Sequence, residues 1–274
     1  MTPPQQPTVG LALSGGTAKS IAHVGVLEAL VEANIPIDYL AGTSGGAVVA
    51  SVFAAGFGPK ELKTIAGSLR WRDLARLTLP RLGLLNNSGV ARFLTELLGD
   101  KDFADLRLPL AVVGTDLLTG EKVVFTEGKV AQAAMISTTI PTVFEPVDAD
   151  DTLYVDGGLV EYMPVETVRR FDPDLVIGVN LGHREGRSSR PRSLLHVAMA
   201  VTGIAARQNA RISSQLADIV IEPPTGKFPS FDLMASTALI EVGYEATRER
   251  IPDIRAALDA LETNWIQRLK FWDE

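Results

Sequence analysis

Two short apolar runs near the start of the chain each end in a glycine-rich turn, and a helical pattern follows each turn. The run at 9–13 breaks at Ser14-Gly15-Gly16, and the run at 37–41 leads into Gly42-Thr43-Ser44-Gly45-Gly46. Consecutive β-turn-α units with short links predict a parallel sheet with right-handed crossovers and helices on both faces. We therefore expect an α/β protein, a three-layer α/β/α fold with a mainly parallel central sheet. The carboxyl ends of such strands form the ligand-binding edge, so the two turns can face one another across a site.

The second turn places Ser44 in the spacing G-x-S-x-G. A serine at the apex of a strand-to-helix turn is forced outward, so that its hydroxyl lies exposed above the sheet. The flanking glycines adopt dihedral angles that a side chain would forbid, and the following helix directs backbone N–H groups toward an oxyanion. Ser44 is therefore the candidate nucleophile. Taken alone, the motif is equally consistent with a structural glycine turn.

Two further glycine turns carry candidate chemistry. At Ser14–Lys19 the N–H groups of a helix start can hold a phosphate or an oxyanion. A P-loop needs a glycine directly before Lys19, where this chain has Ala18, and the dinucleotide fingerprint G-x-G-x-x-G is absent, which leaves an oxyanion hole. The third turn, Asp156-Gly157-Gly158, follows the apolar run at 153–155. Its structural alternative is an aspartate that binds its own backbone.

Composition limits the remaining functions. The chain has 274 residues, of which 46% are hydrophobic and 22% charged, and we see neither a repeat nor a linker. We predict one domain over 1–274, with a polar tail at 1–8 and an amphipathic C-terminal helix at 252–274. The net charge of −7 disfavours a general nucleic-acid binder. The absence of cysteine excludes disulfides and thiolate metal sites, and no metal or cofactor is predicted.

Location is predicted from the same sequence. Residues 1–8 have neither a basic nor a long apolar region, so no signal peptide is indicated, and no stretch approaches about 20 unbroken apolar residues. We expect a cytoplasmic protein whose membrane contact, if any, is peripheral. The oligomeric state is not readable from the sequence.

Taken together and in chain order, the three turns resemble the motifs of the patatin-like phospholipases of bacterial type. The resemblance rests on residues 13–27, 42–46 and 156–158, is supported by the segments 114–116 and 140–146, and covers roughly 9–181. It implies a lipid acyl hydrolase of the phospholipase A or serine esterase type, with a lipid or acyl-ester substrate. The reaction would pass through an acyl-enzyme that is then hydrolysed.

The resemblance also implies roles for individual residues. Ser44 would attack the acyl carbonyl, and Asp156 would orient and deprotonate it as the second member of a Ser–Asp dyad. Backbone N–H groups of Gly15, Gly16 and Thr17 would form the oxyanion hole. The supporting motif residues are Lys19, Gly42, Gly45, Gly46, Gly157 and Gly158.

This chain departs from the family pattern in the first turn. Thr17 stands where the family usually has a third glycine, Lys19 where arginine is more frequent, and Ser20 where glycine follows. Because threonine resists a positive φ, either the loop takes an ordinary conformation at Thr17 or the hole is distorted.

Two alternatives to the dyad enzyme remain open. A Ser-His-Asp hydrolase would use Ser44 and Asp156 with His183 or His196, which is the chain order of α/β-hydrolases. A non-catalytic lipid- or acyl-binding protein would retain the same site with a decayed oxyanion loop.

Two segments suggest contact with a membrane surface. Residues 70–85 mix arginines with Trp71 and leucines, as in a lid or a membrane-facing flap. The C-terminal stretch 254–272 repeats large apolar residues at three- and four-residue steps, and these are Leu258, Leu261, Trp265, Leu269 and Trp272. The alternative in both cases is packing on the protein's own core or, for the C-terminal stretch, on a partner subunit.

Overall fold

The computed structural model describes residues 6–77, 82–149, 151–182 and 190–272, with the backbone alone at 77 and 264–272. Its centre is an eight-stranded sheet in the order β10-β9-β1-β2-β5-β8-β7, with β6 paired to β5. The strands of this sheet are β1 (Val9–Leu13), β2 (Tyr39–Thr43), β5 (Leu110–Asp116), β6 (Lys122–Phe125), β7 (Val147–Ala149), β8 (Thr152–Asp156), β9 (Leu175–Val179) and β10 (Ile219–Ile221). A separate two-stranded ribbon pairs β3 (Arg76–Leu77) with β4 (Leu85–Asn86).

The sheet is parallel from β10 to β5 and antiparallel beyond it. Strands β10, β9, β1, β2 and β5 run in one direction, whereas β6 and β8 each pair antiparallel to β5 and β7 pairs antiparallel to β8. A turn that contains Gly120 joins β5 to β6 as a hairpin. The expected α/β fold is confirmed, and its sheet is mixed.

Helices cover both faces of the sheet. They are α1 (Ala22–Glu32), α2 (Gly45–Ala54), α3 (Pro59–Ser68), α4 (Trp71–Leu74), α5 (Ser88–Leu98), α6 (Val130–Ser137), α7 (Val165–Arg169), α8 (Leu194–Leu216) and α9 (Ser236–Trp272). The main core lies on the α1, α2, α5, α6 and α9 side, and a smaller cluster lies beneath α7 on the other face. Side chains of β1 alternate between them: Leu11 and Leu13 join the main core, whereas Ala12 joins the smaller one.

Several helix bounds differ from the predicted ones. The first predicted helix begins as a 3₁₀ turn at Thr17–Ile21 before α1, and α5 lies in a region whose pattern gave no helix. The C-terminal helix begins at Ser236 rather than near 252, and Pro252 lies inside it. The amphipathic stretch is therefore the second half of one long helix.

Both segments considered for membrane contact pack at least partly on the protein itself. Leu258 and Leu261 lie against the main core, as do Trp71 and Leu74. The side chains of Trp265, Leu269 and Trp272 lie outside the described ones, as do residues 78–81 of the first segment. Within the described ranges, no helix combines the length and the hydropathy that crossing a bilayer requires.

Candidate active site

Ser44 occupies a sharp turn between β2 and α2. Its φ of 53° and ψ of −129° are unusual for a residue with a side chain. The turn closes because its glycines allow close contact: a Cβ at Gly42 would lie 2.5 Å from Cα of Ala47, and one at Gly46 would overlap the carbonyl oxygen of Leu13. The motif glycines are therefore required by packing, and the turn presents Ser44 at the carboxyl edge of the sheet.

The Ser44 hydroxyl contacts Asp156 directly. Its Oγ donates a hydrogen bond of 2.7 Å to Oδ2 of Asp156, and Oδ1 accepts one of 2.7 Å from the N–H of Gly158. Asp156 ends β8, and β5 lies between β8 and β2, so strand order brings the two side chains together. Both residues are buried, with exposed fractions of 6% and 5%. A hydroxyl thus lies within proton-transfer distance of a carboxylate.

Burial raises the pKa of Asp156 to about 6. Removal from water is the largest cause, because it disfavours the charged form. The hydrogen bonds from Ser44 and from the Gly158 N–H act in the opposite direction. The carboxylate is therefore more basic than an ordinary aspartate, yet mainly ionised at neutral pH.

The glycine-rich turn after β1 lies beside Ser44. A Cβ at Gly15 would be 3.3 Å from Cβ of Ser44. The N–H of Gly15 donates to the carbonyl oxygen of Tyr162 at 3.0 Å, so it is engaged and unavailable to an oxyanion. Over the described ranges, the N–H groups of Gly16 and Thr17 have no hydrogen-bond partner. Of the three predicted oxyanion donors, the N–H groups of Gly16 and Thr17 are therefore the two that remain available.

Thr17 adopts the conformation that a glycine would favour. Its φ is 55°, in the left-handed region, where a β-branched residue is strained. The loop therefore keeps a glycine-like path despite the substitution. Thr17 therefore does not take the ordinary backbone conformation that the sequence analysis gave as one alternative.

His23 supports the same loop from α1. It is fully buried, and its Nε2 lies 2.8 Å from the carbonyl oxygen of Ser14. Burial lowers the pKa of His23 to about 4, so the ring is neutral and Nε2–H is the donor. His196 lies on exposed α8 and contacts Arg192 and Ser193, and neither it nor His23 is bonded to Ser44 or Asp156. His183 lies outside the described residues.

One supporting residue could not be found from the sequence. Ser137, at the end of α6, accepts a 2.7 Å hydrogen bond from the N–H of Ser44 and donates one of 2.6 Å to the carbonyl oxygen of Val113 on β5. It thereby ties the strained turn to the sheet. A serine at the end of an apolar helix gives no signal of this role.

Two cavities meet at Ser44. One, of about 110 Å³, is almost entirely apolar and runs between α2, α4 and α5; its lining includes Val48, Val49, Trp71, Leu74, Phe93 and Phe144. The other, of about 190 Å³, has a lining that is about equally polar and apolar and runs past Asp156 toward α8; we call it the polar cleft because its lining includes Lys19, Tyr162, Thr202 and Arg207. An ester carbonyl at Ser44 would have an apolar space on one side and a polar space on the other.

The acidic and imidazole side chains in the described part of the chain form no group of three or more that could hold a metal ion. The arrangement at Ser44 consists of a hydroxyl, a carboxylate and backbone donors. These are the parts of acyl transfer by a side-chain nucleophile.

Comparison with known proteins identifies the family. A sequence model described as "Patatin-like phospholipase" matches residues 11–169, which include both Ser44 and Asp156. The chain belongs to the patatin-like phospholipase family. Family membership confirms the resemblance drawn from the three turns.

Relatives of this patatin-like chain extend the match. An uncharacterized NTE family protein of Mycobacterium bovis is 36% identical over 187 residues, covering 67% of this chain and 52% of the relative. Patatin-like phospholipase domain-containing protein 7 of Rattus norvegicus is 29% identical over 189 residues, covering 65% of this chain and 14% of that protein. The chain thus spans about half the length of the mycobacterial relative and a small part of the rat protein.

Solved structures share the patatin-like fold. VipD from Legionella pneumophila superposes with a TM-score of 0.59 at 17% identity, covering 91% of this chain and 67% of VipD. The type III effector protein ExoU gives a TM-score of 0.51 at 16% identity, covering 92% of this chain and 54% of ExoU. At such identities the likeness concerns the fold alone.

Proposed function

We propose that this protein is a phospholipase A-type lipid acyl hydrolase that works through a Ser44–Asp156 dyad. The observation that carries the proposal is the direct 2.7 Å hydrogen bond from Ser44 Oγ to Asp156 Oδ2. A triad histidine would have to lie between these two atoms, and the direct contact leaves it no place. The family match supports the class of substrate.

In the first half of the reaction Ser44 Oγ attacks the acyl carbonyl carbon while its proton passes to Asp156 Oδ2. The tetrahedral intermediate collapses by breaking the bond to the leaving alcohol, whose oxygen takes the proton back from Asp156. An acyl ester on Ser44 remains. A base of pKa about 6 is well suited to this exchange near neutral pH.

In the second half a water molecule attacks the acyl-Ser44 carbonyl. Asp156 accepts a proton from the water and returns one to Ser44 Oγ as the fatty acid leaves. The same carboxylate therefore serves as base and then acid in both steps, and no cofactor is needed.

The charge that develops on the carbonyl oxygen needs fixed donors. The N–H groups of Gly16 and Thr17 are the candidates, since they lack other partners in the described ranges and the turn that holds them adjoins Ser44. Such donors strengthen as charge develops in a site that excludes water, and each is worth about a hundred- to a thousandfold in turnover.

The test compares hydrolysis of a short p-nitrophenyl ester and of a phospholipid by the wild type, Ser44→Ala and Asp156→Asn. We expect both variants to lose about a thousandfold or more in kcat. Ser51→Ala is the matched control, because Ser51 is a buried serine of α2 whose hydroxyl binds the Ala47 carbonyl away from the site. It should retain activity.

The same experiment distinguishes the alternatives. A non-catalytic lipid-binding protein would cleave neither ester, and Ser44 would not be labelled by a fluorophosphonate probe. A triad enzyme would lose nearly all activity in His183→Ala or His196→Ala, whereas the dyad predicts little change in either.

We further propose peripheral contact with a lipid surface through α8. Its exposed face carries Leu194, Val197, Val201 and Ile204, with Leu194 exposed by 86%. The proposed substrate is a lipid, and the helix that carries this exposed apolar face also lines the polar cleft through other residues. In co-sedimentation with phosphatidylcholine vesicles, the double variant Leu194→Glu/Val201→Glu should bind less than the wild type. Val31→Glu, an exposed position on α1, should bind as the wild type does, and equal binding by all three would contradict the proposal.

A further inference from the structure

Arg207 is the charged side chain that α8 contributes to the polar cleft. The helix presents Met199, Thr202, Gly203, Ala206 and Arg207 to the cleft, at the spacing of one helix face. Arg207 is half-buried, and over the described ranges it forms no hydrogen bond or ion pair. A guanidinium that is partly removed from water and lacks a carboxylate has unused capacity for an anion.

The helix that carries Arg207 is anchored beside the cleft. The neighbouring helical residue Asn209 donates a 2.6 Å hydrogen bond to the carbonyl oxygen of Leu159, which anchors α8 to the turn that follows Asp156. The guanidinium lies back along the helix, because a Cβ at Gly203 would be 3.3 Å from its Nη1. Glycine at 203 therefore leaves room for the charged group in the cleft.

The charge of Arg207 acts inside the cleft near the reacting groups. Burial and the charge of Asp156 raise the pKa of Tyr162, and the charge of Arg207 opposes that rise. Arg207 is not among the causes of the shifted pKa of Asp156. Arg207 and Tyr162 line the same cleft, so a group bound there lies between them and beside Asp156.

We propose that Arg207 is a specificity-determining residue that binds a phosphate on the leaving alcohol of the substrate, an inference that rests on the proposed acyl hydrolase function. With the acyl chain in the apolar cavity, the ester oxygen points the alcohol into the polar cleft. A phosphate there meets a guanidinium, whose planar donors match phosphate oxygens in paired hydrogen bonds. A neutral alcohol fits the same space but gains nothing from the charge.

Two substrates that differ only in this group test the assignment. They are a monoacylglycerol and the same monoacylglycerol bearing a 3-phosphate, presented in neutral detergent micelles. For Arg207→Gln we expect kcat/KM on the phosphorylated ester to fall about 10- to 100-fold, mainly through KM, with the neutral ester unchanged. Arg207→Lys should recover part of the loss. Arg211→Gln, which removes an exposed arginine one turn along α8, should change neither.

The two proposals can fail separately. The phosphate assignment is overturned if Arg207→Gln slows both esters equally or leaves the phosphorylated ester unaffected. Turnover by the wild type would still uphold the hydrolase proposal. A second measurement needs no turnover: binding of a non-hydrolysable alkyl ether of glycerol 3-phosphate, compared with the ether of glycerol, by calorimetry. Tighter binding of the phosphorylated ether by the wild type, lost in Arg207→Gln, supports the assignment even if no ester is cleaved. Equal binding of the two ethers by the wild type overturns it.

Discussion

One hydroxyl from another helix, that of Ser137, accepts the hydrogen bond of the Ser44 backbone N–H in the strained turn. Ser137→Ala would leave the buried N–H of Ser44 without an acceptor, which costs roughly 1–3 kcal/mol of unfolding free energy. Because the lost contact holds the nucleophile, we also expect kcat to fall while Ser44 stays reactive to a fluorophosphonate. Chemical denaturation and ester hydrolysis measure the two effects. An unchanged kcat with normal stability would mean that the turn is held by its glycines alone.

The basicity of Asp156 sets a pH profile. Its pKa is raised to about 6 by burial, and in the proposed mechanism the ionised form accepts the Ser44 proton. For a soluble ester, kcat/KM should therefore rise with pH and level off above an inflection near 6. If His183 were the base instead, this inflection would disappear in the His183→Ala variant.

Thr17 carries backbone strain that a glycine would relieve. At a φ of 55° a threonine costs on the order of 1–3 kcal/mol, whereas glycine adopts this region freely. Thr17→Gly also raises the conformational entropy of the unfolded chain, which lowers the unfolding free energy by about 0.4–1 kcal/mol. We expect the melting temperature to hold or rise, and ester hydrolysis to continue because the donor is a backbone N–H. A clear loss of stability would show that the threonine side chain packs more favourably than its backbone is strained.

At the scale of elements, α1 and α9 pack so closely that glycines are needed at their crossing. A Cβ at Gly25 would overlap the Ile240 carbonyl, and one at Gly243 would overlap that of Ala22. Gly25→Ala should push the helices apart and lower the unfolding free energy by roughly 1–3 kcal/mol. Gly67→Ala, in α3, is the control, since nothing lies within 4 Å and alanine favours a helix. It should hold or raise the unfolding free energy, as denaturant titration would show.

Elements with a strong local pattern were predicted well, and those fixed by distant contacts were not. The apolar run at 9–13 is β1, the run at 37–41 overlaps β2, and the helical patterns after their turns contain α1 and α2. The missed α5 does carry apolar residues at helical spacing, Val90, Leu94 and Leu98, but Gly89 lies in its first turn, where a close approach to Leu74 requires it. Glycine disfavours a helix by its intrinsic propensity, whereas packing at this position requires a glycine.

At the scale of the molecule, the three glycine turns predicted to form a site lie together because the sheet topology brings distant parts of the chain side by side. Turns after β1 and β2 are neighbours in a parallel sheet, and β8 returns antiparallel beside β5 to bring in Asp156. What the sequence could not show is the set of contacts made across the fold, such as Ser137 on the Ser44 amide or Tyr162 on that of Gly15. Residues in these roles have no local signature.

Two buried groups give the whole molecule opposing responses to acid. The pKa of Asp156 is raised to about 6, so the stability it contributes is present at low pH and is lost as pH rises from about 4 through 6. The pKa of His23 is lowered to about 4, so its contribution is present above about 6.5 and is lost as pH falls toward 4. In the wild type the two changes nearly cancel over this range.

Single variants should expose each response. Relative to the wild type, His23→Gln should gain unfolding free energy as the pH falls from 6.5 to 4, and Asp156→Asn should lose it, each by about 1.4 kcal/mol per pH unit at most. At neutral pH, the Asp156→Asn variant should be more stable than the wild type. Denaturant titrations at several pH values check the slopes, and parallel curves for all three proteins would show that neither group titrates as described.

The polar cleft has walls of different origin. Ser44, Asp156 and the glycine turn lie within residues 11–169, the part shared with the family, whereas α8 lies beyond it. In the proposed mechanism, bond making and bond breaking therefore belong to one stretch of chain, and contact with the released alcohol belongs largely to another. A lineage with this layout can acquire a preference for a different alcohol through substitutions in α8 alone, while the inherited residues that carry out the reaction stay unchanged.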